Sequence, residues 1–201
     1  MSGLSRRWAL LAVMLVCVLP FGSAQADSSQ DNVATAIIEQ DDGRAFDLAW
    51  DISRQRGDDP VLNRNSATAR AHCLRCRARA IAFQIVLVSG SPTTVVPQNT
   101  AEAVNVECTD CEAVAEARQF VRVVPEPVRF TGTGRSILAD VRDDLEALEA
   151  QDPPVDQLHL AIEAQEARVR EVLRTELVLK SKPSQDATVL ERRTLQAADQ
   201  G

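Results

Sequence analysis

Aromatic side chains are scarce in this sequence: five Phe, two Trp and no Tyr among 201 residues. A core built here has to rely on Val, Leu, Ile and Ala. Histidine is scarcer still, with only His72 and His159, and neither lies in an H-E-x-x-H pattern, which excludes that metalloprotease chemistry. G-x-S-x-G and P-loop patterns are also missing. "TGTG" at Thr131–Gly134 reads as a helix entry rather than an anion cradle. Asp41, Asp42 and Gly43 form a turn signal without the later ligands of a calcium loop. No run of Lys and Arg occurs, and the net charge is −7. This balance disfavours binding to nucleic acid or to an anionic membrane, because phosphates are held by Lys and Arg.

The one long apolar run is at the start. Arg6 and Arg7 precede an apolar stretch of about 14 residues, and "SAQA" offers an Ala-x-Ala cleavage site before Asp27. Residues 1–26 therefore read as a signal peptide, the run being shorter than the roughly 20 residues that span a bilayer. Removing them lowers the basic count from 22 to 20 against 29 acidic residues, a net charge of −9. Cys17 leaves with that segment, and four cysteines remain in an oxidising compartment. The expected location is secreted or associated with the cell surface, with no membrane insertion of the mature chain.

The middle of the chain is self-similar. "NVATA" at Asn32, "NSATA" at Asn65 and "NTAEA" at Asn99 are spaced by 33 and 34 residues. Further on, Ala78, Ala80, Ala82, Gln84 and Val86 match Ala113, Ala115, Ala117, Gln119 and Val121. More weakly, Ala45, Ala49, Trp50 and Ile52 fall opposite Ala78, Ala82, Phe83 and Ile85. A fixed period marks a supersecondary unit used several times. Within each unit the apolar residues alternate, as in Phe46, Leu48, Trp50 and Ile52 or Ile81, Phe83, Ile85 and Leu87, which predicts strands. Each unit is expected to be a β-hairpin, with C-x-x-C at its tip in the second and third. The bulky faces would point inward, or the Ala faces would admit a second layer.

After Thr131 the period changes. Ile137, Leu138, Val141, Leu145 and Leu148 recur at helical spacing, "DPP" at Asp152–Pro154 interrupts, and Leu158, Ala161, Ile162, Gln165, Val169, Val172, Leu173 and Leu177 form a second stripe. Two helices joined so tightly make an antiparallel hairpin whose stripes pack on each other. His159 lies off the stripe. The expected class is α+β: an antiparallel sheet of hairpins over 27–128, a helical hairpin over 129–179, and a polar, disordered tail over 180–201.

The cysteines lie in "HCLRC" and "ECTDC", giving Cys73, Cys76, Cys108 and Cys111. Two C-x-x-C pairs on hairpin tips are how a zinc ribbon supplies four thiolates, with His72 as a competing ligand. Against zinc stand the oxidising compartment and a gap of 31 residues between the pairs. A redox centre would need a thiolate favoured by its surroundings, and no βαβ pattern frames either motif. Structural disulfides fit best. Closing Cys73–Cys76 and Cys108–Cys111 is worth about 2 kcal/mol each, and a crossed Cys73–Cys108 link roughly 4 kcal/mol. Loop entropy thus favours crossing. However, the first unit carries Gln40 and Gly43 at both cysteine positions, as if a local staple is lost as a pair. The reading leans to local pairs, with the crossed pairing and zinc left open.

"CRARAIAFQIVLVSG", "NTAEAVNVECTDCEAVAEARQFV", "PVRFTGTGR" and "VLRTELV" resemble a family of exported actinobacterial proteins without an assigned activity. Similar segments occur in larger membrane proteins labelled as peptide zinc metalloproteases. The resemblance covers roughly residues 32–178 and carries no catalytic motif with it. The sequence therefore implies an exported, non-enzymatic structural or interaction module without a cofactor, with room for a protein partner. The alternative is a zinc-binding accessory of a peptide-maturation or protease system, using Cys73, Cys76, Cys108 and Cys111.

Overall fold

The computed structural model describes residues 31–180. The predicted signal peptide and nearly all of the predicted tail lie outside that range. Strands β1 (Asn32–Ile38), β2 (Arg44–Arg56), β3 (Val61–Ala71), β4 (Arg77–Ser89), β5 (Val95–Asn105) and β6 (Glu112–Val124) come first. They are followed by β7 (Val128–Phe130), helices α1 (Gly132–Gln151) and α2 (Val155–Thr175), and β8 (Leu177–Leu179).

The expected antiparallel hairpins are not formed. The first six strands separate, odd from even, into two parallel sheets, ordered β1-β3-β5 and β2-β4-β6, and among the described residues only the short β7–β8 pair is antiparallel. The residues that look alike in sequence are ladder partners. Asn32 pairs with Asn65 and Asn65 with Asn99, while Ala78, Ala80, Ala82 and Gln84 pair with Ala113, Ala115, Ala117 and Gln119. The two strands of one unit form no backbone ladder with each other; they turn away into different sheets, forming an arch rather than a hairpin.

Side-chain size explains this choice. Ala34, Ala36, Ala67, Ala69 and Ala71 of one sheet meet Ala78, Ala80 and Ala82 of the other in a fully buried layer. Small side chains let the two sheets approach more closely than the usual ~10 Å spacing. A hairpin would have left the Ala faces without a partner. The opposite face of β2-β4-β6 carries the bulk. Ile81, Phe83, Ile85 and Leu87 pack with Leu138, Val141, Leu145, Leu148, Leu158, Ile162, Val169 and Val172 of the helices. β4 is therefore covered on both faces, as a central parallel strand should be. Trp50 and Phe83 are ladder partners on this face, and Phe120 lies diagonally across from Phe83 on β6, with ring centroids 6.0 and 6.2 Å apart. Among the described residues, every aromatic side chain, Phe46 and Phe130 included, belongs to or packs against this core. The helical stripes pack on the sheet as well as on each other, a wider role than the hairpin alone predicted.

The helices are set by their ends. Thr131 caps α1, its Oγ1 accepting from the Gly134 amide at 2.9 Å. Its hydroxyl also bonds the Glu176 carboxylate, and its amide donates to the Glu176 carbonyl at 3.0 Å. α1 stops at Asp152, held in the left-handed region at φ 44°, and Pro153 and Pro154 separate it from α2.

The two sheets are staggered. β1 lies over β2 and β4, β3 over β4 and β6, and β5 chiefly over β6. The last strand of its sheet therefore overhangs, and Ala101 and Ala103 are exposed although their counterparts in β3 are buried. The first edge is closed differently. Asp47, where β4 and β6 carry Ala80 and Ala115, accepts from the Thr35 amide of β1 at 2.6 Å. A charge placed at a sheet edge in this way opposes pairing with another chain.

The cysteine corner and the buried ladders

Each arch turns through a short loop: 39–43, 72–76 and 106–111. These loops sit one above another. The Asp42 amide donates to the Leu74 carbonyl, and the Arg75 amide to the Thr109 carbonyl, both at 2.9 Å. Asp42, Arg75, Glu107 and Asp110 adopt positive φ, between 46° and 57°. Asp tolerates this conformation better than most residues. Charges clamp the stack. Arg75 donates to both Asp42 carboxylate oxygens at 2.7 and 2.8 Å, and Asp41 accepts from the Leu74 amide at 2.8 Å. The Arg75 hydrogen bond holds the Asp42 carboxyl below its ordinary pKa. Asp41 and Asp42 are thus turn residues that bind the next loop.

The four cysteines gather at this corner. The sulfurs of Cys73 and Cys76, and those of Cys108 and Cys111, form two close pairs, one within each motif. Their Cα separations, 6.0 and 5.8 Å, suit a disulfide. The pairs also touch each other: Cys76 Sγ is 3.5 Å from Cys111 Sγ. Cys111 Sγ and Cys108 Sγ lie 2.8 and 3.1 Å from the Cys73 carbonyl. Cys76 is fully buried and Cys73 nearly so, whereas Cys108 and Cys111 are half-buried. The first loop has no space for a third pair. A Cβ on Gly43 would come within 2.8 Å of the Gln40 carbonyl and 2.9 Å of Ile38.

The sulfur atoms of Cys73, Cys76 and Cys111 all lie within 4.8 Å of one another, the spacing a metal would need if the thiols were free. His72 points elsewhere in chemistry: its Nε2 is 3.3 Å from the Glu107 carboxylate, both largely exposed. His159 lies between Glu116 and Glu163, at 3.1 Å from each.

Behind the corner run two polar ladders. Asn32 Nδ2 donates to Asn65 Oδ1 at 2.7 Å, and Asn65 Nδ2 to Asn99 Oδ1 at 2.8 Å. The same amides reach the opposite sheet, at the Phe83, Ala82 and Ala117 carbonyls, 3.0 to 3.1 Å away. Deeper along the strands, Gln119 Nε2 donates to Gln84 Oε1 at 2.7 Å, and Gln84 Nε2 faces Asp51 at 3.5 Å. Amide groups suit this stack because each both donates and accepts. The sequence marked these Asn and Gln positions as matching without showing their role.

A third group was not singled out in the sequence. Arg79, almost completely buried, bonds Glu112 through Nε and Nη2 at 2.9 and 2.6 Å. Asp152, at the turn between the helices, meets Arg44, Arg77 and Arg79 at 2.9, 2.5 and 3.1 Å. Arg44 and Arg77 are ladder partners, so one carboxylate gathers three cations from two neighbouring strands. The only advance signal was the conjunction of Arg77 and Arg79 near the start of β4 with an acidic residue at the helix break.

Among the described residues no helix is long and apolar enough to cross a membrane. Comparison with protein families, with curated proteins and with solved structures gives no match.

Proposed function

We propose that the chain is an exported, non-enzymatic structural or interaction module, in which Cys73–Cys76 and Cys108–Cys111 form two disulfides. The observation that carries this reading is the tying of successive loops. Backbone bonds, the Asp42–Arg75 clamp and two stacked cysteine pairs fix the same corner. Such redundancy suits a rigid scaffold. Close cysteine pairs also fit an oxidising compartment, secreted or at the cell surface. The acidic net charge supports a protein partner over nucleic acid or an anionic membrane. Intact mass of the non-reduced mature protein tests the disulfides. A loss of four hydrogens is expected.

A second reading has one specific observation in its favour. The three neighbouring sulfurs, with Cys108 beside them, resemble the thiolate set of a zinc site. On that reading the protein is a zinc-binding accessory of a peptide-maturation or protease system. Four free thiols and one zinc ion under native spray would replace the disulfide reading with this one.

A further inference from the structure

The two cysteine pairs differ in access yet touch. The inner pair, Cys73–Cys76, is 7% and 0% exposed, so a thiol from solvent has no direct approach to it. The outer pair, Cys108–Cys111, belongs to the last loop of the stack and is half-buried. Cys111 Sγ lies 3.5 Å from Cys76 Sγ, which is near contact for two sulfur atoms. Thiol–disulfide exchange needs a thiolate in line with a disulfide bond; Cys111 already lies beside Cys76, so a swing of its side chain within the loop is the movement required.

We propose that the corner is a thiol–disulfide relay: the outer pair accepts reducing equivalents from an exogenous dithiol and passes them to the buried pair. The inference rests on the reading of both pairs as disulfides. In the first step the dithiol attacks the Cys108–Cys111 bond, is itself oxidised to a disulfide, and leaves Cys108 and Cys111 as thiols. In the second, the Cys111 thiolate attacks Cys76 Sγ. The Cys73–Cys76 bond breaks, a Cys76–Cys111 bond forms, and Cys73 leaves as a thiolate that takes a proton from water. In the third, the Cys108 thiolate attacks Cys111 Sγ, restores Cys108–Cys111 and releases Cys76. The sum is one dithiol oxidised and the inner pair reduced. The reverse sequence lets an exogenous disulfide oxidise the buried cysteines.

The test uses the mature, oxidised protein carrying Cys108→Ser. Cys111 is then the single free thiol, and no reductant is needed for exchange. The variant is incubated near pH 8.5, where an ordinary thiol is about half ionised, then labelled with a thiol reagent and mapped by peptide mass. Label on Cys73 as well as Cys111, with a crossed Cys76–Cys111 peptide, is expected. Label confined to Cys111 overturns the relay. A second measurement does not depend on that variant folding. With dithiothreitol as the probe, Cys108→Ser/Cys111→Ser should reduce its Cys73–Cys76 bond about tenfold more slowly than the wild type. Attack on the buried bond then has to wait for local opening. Equal rates would overturn the proposal. Failure of the disulfide reading is seen separately, in the intact mass of the wild type, which no result of the exchange assay changes.

Discussion

Arg79 and Asp152 face each other across the junction of sheet and helices, Nη1 to Oδ1 at 3.1 Å, with 5% and 14% of their side chains exposed. The contact makes the helical turn a part of the sheet's first rows. An unpaired cation at such depth is costly, and removing one partner of a buried pair typically costs 3–5 kcal/mol. Asp152→Asn keeps a residue that tolerates positive φ but removes the charge. Arg79 keeps its bonds to Glu112, so a loss of about 2 kcal/mol in urea unfolding, short of that full cost, is expected. A loss below about 1 kcal/mol would mean that water already screens Arg44, Arg77 and Arg79.

The asparagine ladder has an inner and an outer member. Asn65 is fully buried, and Asn65→Ala removes the donor to the Ala82 carbonyl and one acceptor of the Asn32 amide, which keeps the Phe83 and Ala49 carbonyls. An unsatisfied buried group costs about 1–3 kcal/mol, so a loss of roughly 2 kcal/mol is expected. Asn99 is exposed at the overhanging strand, and Asn99→Ala should cost less than about 1 kcal/mol. Denaturant midpoints of the two variants check this order. Equal effects would show that the ladder is wet along its whole length.

Two glycines of α1 should respond with opposite signs. A Cβ on Gly134 would meet Glu176 Cβ at 2.7 Å, whereas one on Gly132 meets nothing within 4 Å. Overpacking at Gly134→Ala is expected to cost about 1–3 kcal/mol despite the better helix former. Gly132→Ala should be neutral or stabilising by up to about 0.5 kcal/mol. Thermal unfolding of both variants separates close packing from helix propensity.

His159 should give the fold a dependence on pH. Its pKa is raised above the ordinary 6.5, first by the hydrogen bond to Glu116 and then by that carboxylate's charge and that of Glu163, with Arg118 opposing. Because the folded value is the higher one, the stabilisation is fully present below pH 6.5 and is lost as pH rises through the folded pKa. The stability difference between wild type and His159→Gln should therefore be largest in mild acid and shrink in alkali. Proton NMR titration of the His159 ring should give a midpoint above 6.5; a midpoint at or below it contradicts the assignment.

Much of the local structure could be read from residues alone. Alternation at Phe46–Ile52 and Ile81–Leu87 gave strands, and the third unit, rich in helix formers at Glu112–Val121, is also a strand. Packing on β4 overrides the intrinsic preference there. The helical stripes and the break at Asp152 were equally plain. Strand pairing was misread because an alternating pattern is the same in a hairpin and in an arch. The deciding information was the identity of matching residues: Asn above Asn and Gln above Gln form hydrogen-bonded ladders only when units stack in parallel and in register. The Ala faces pointed the same way, since only a second sheet brought close could use them. The contacts of Asp152 were not legible, for they join residues 73, 75 and 108 positions apart through a tertiary arrangement.

The helical pair also works as a ruler. α1 reaches over β2 and α2 over β6, with β4 beneath both. Two helices packed about 8–10 Å apart cover little more than three strands spaced about 4.8 Å apart. A fourth unit could extend both sheets without breaking a single ladder, but its bulky face would find no helix to cover it. The number of rungs is thus counted by the helices packed on the sheet, not by the strands that build it.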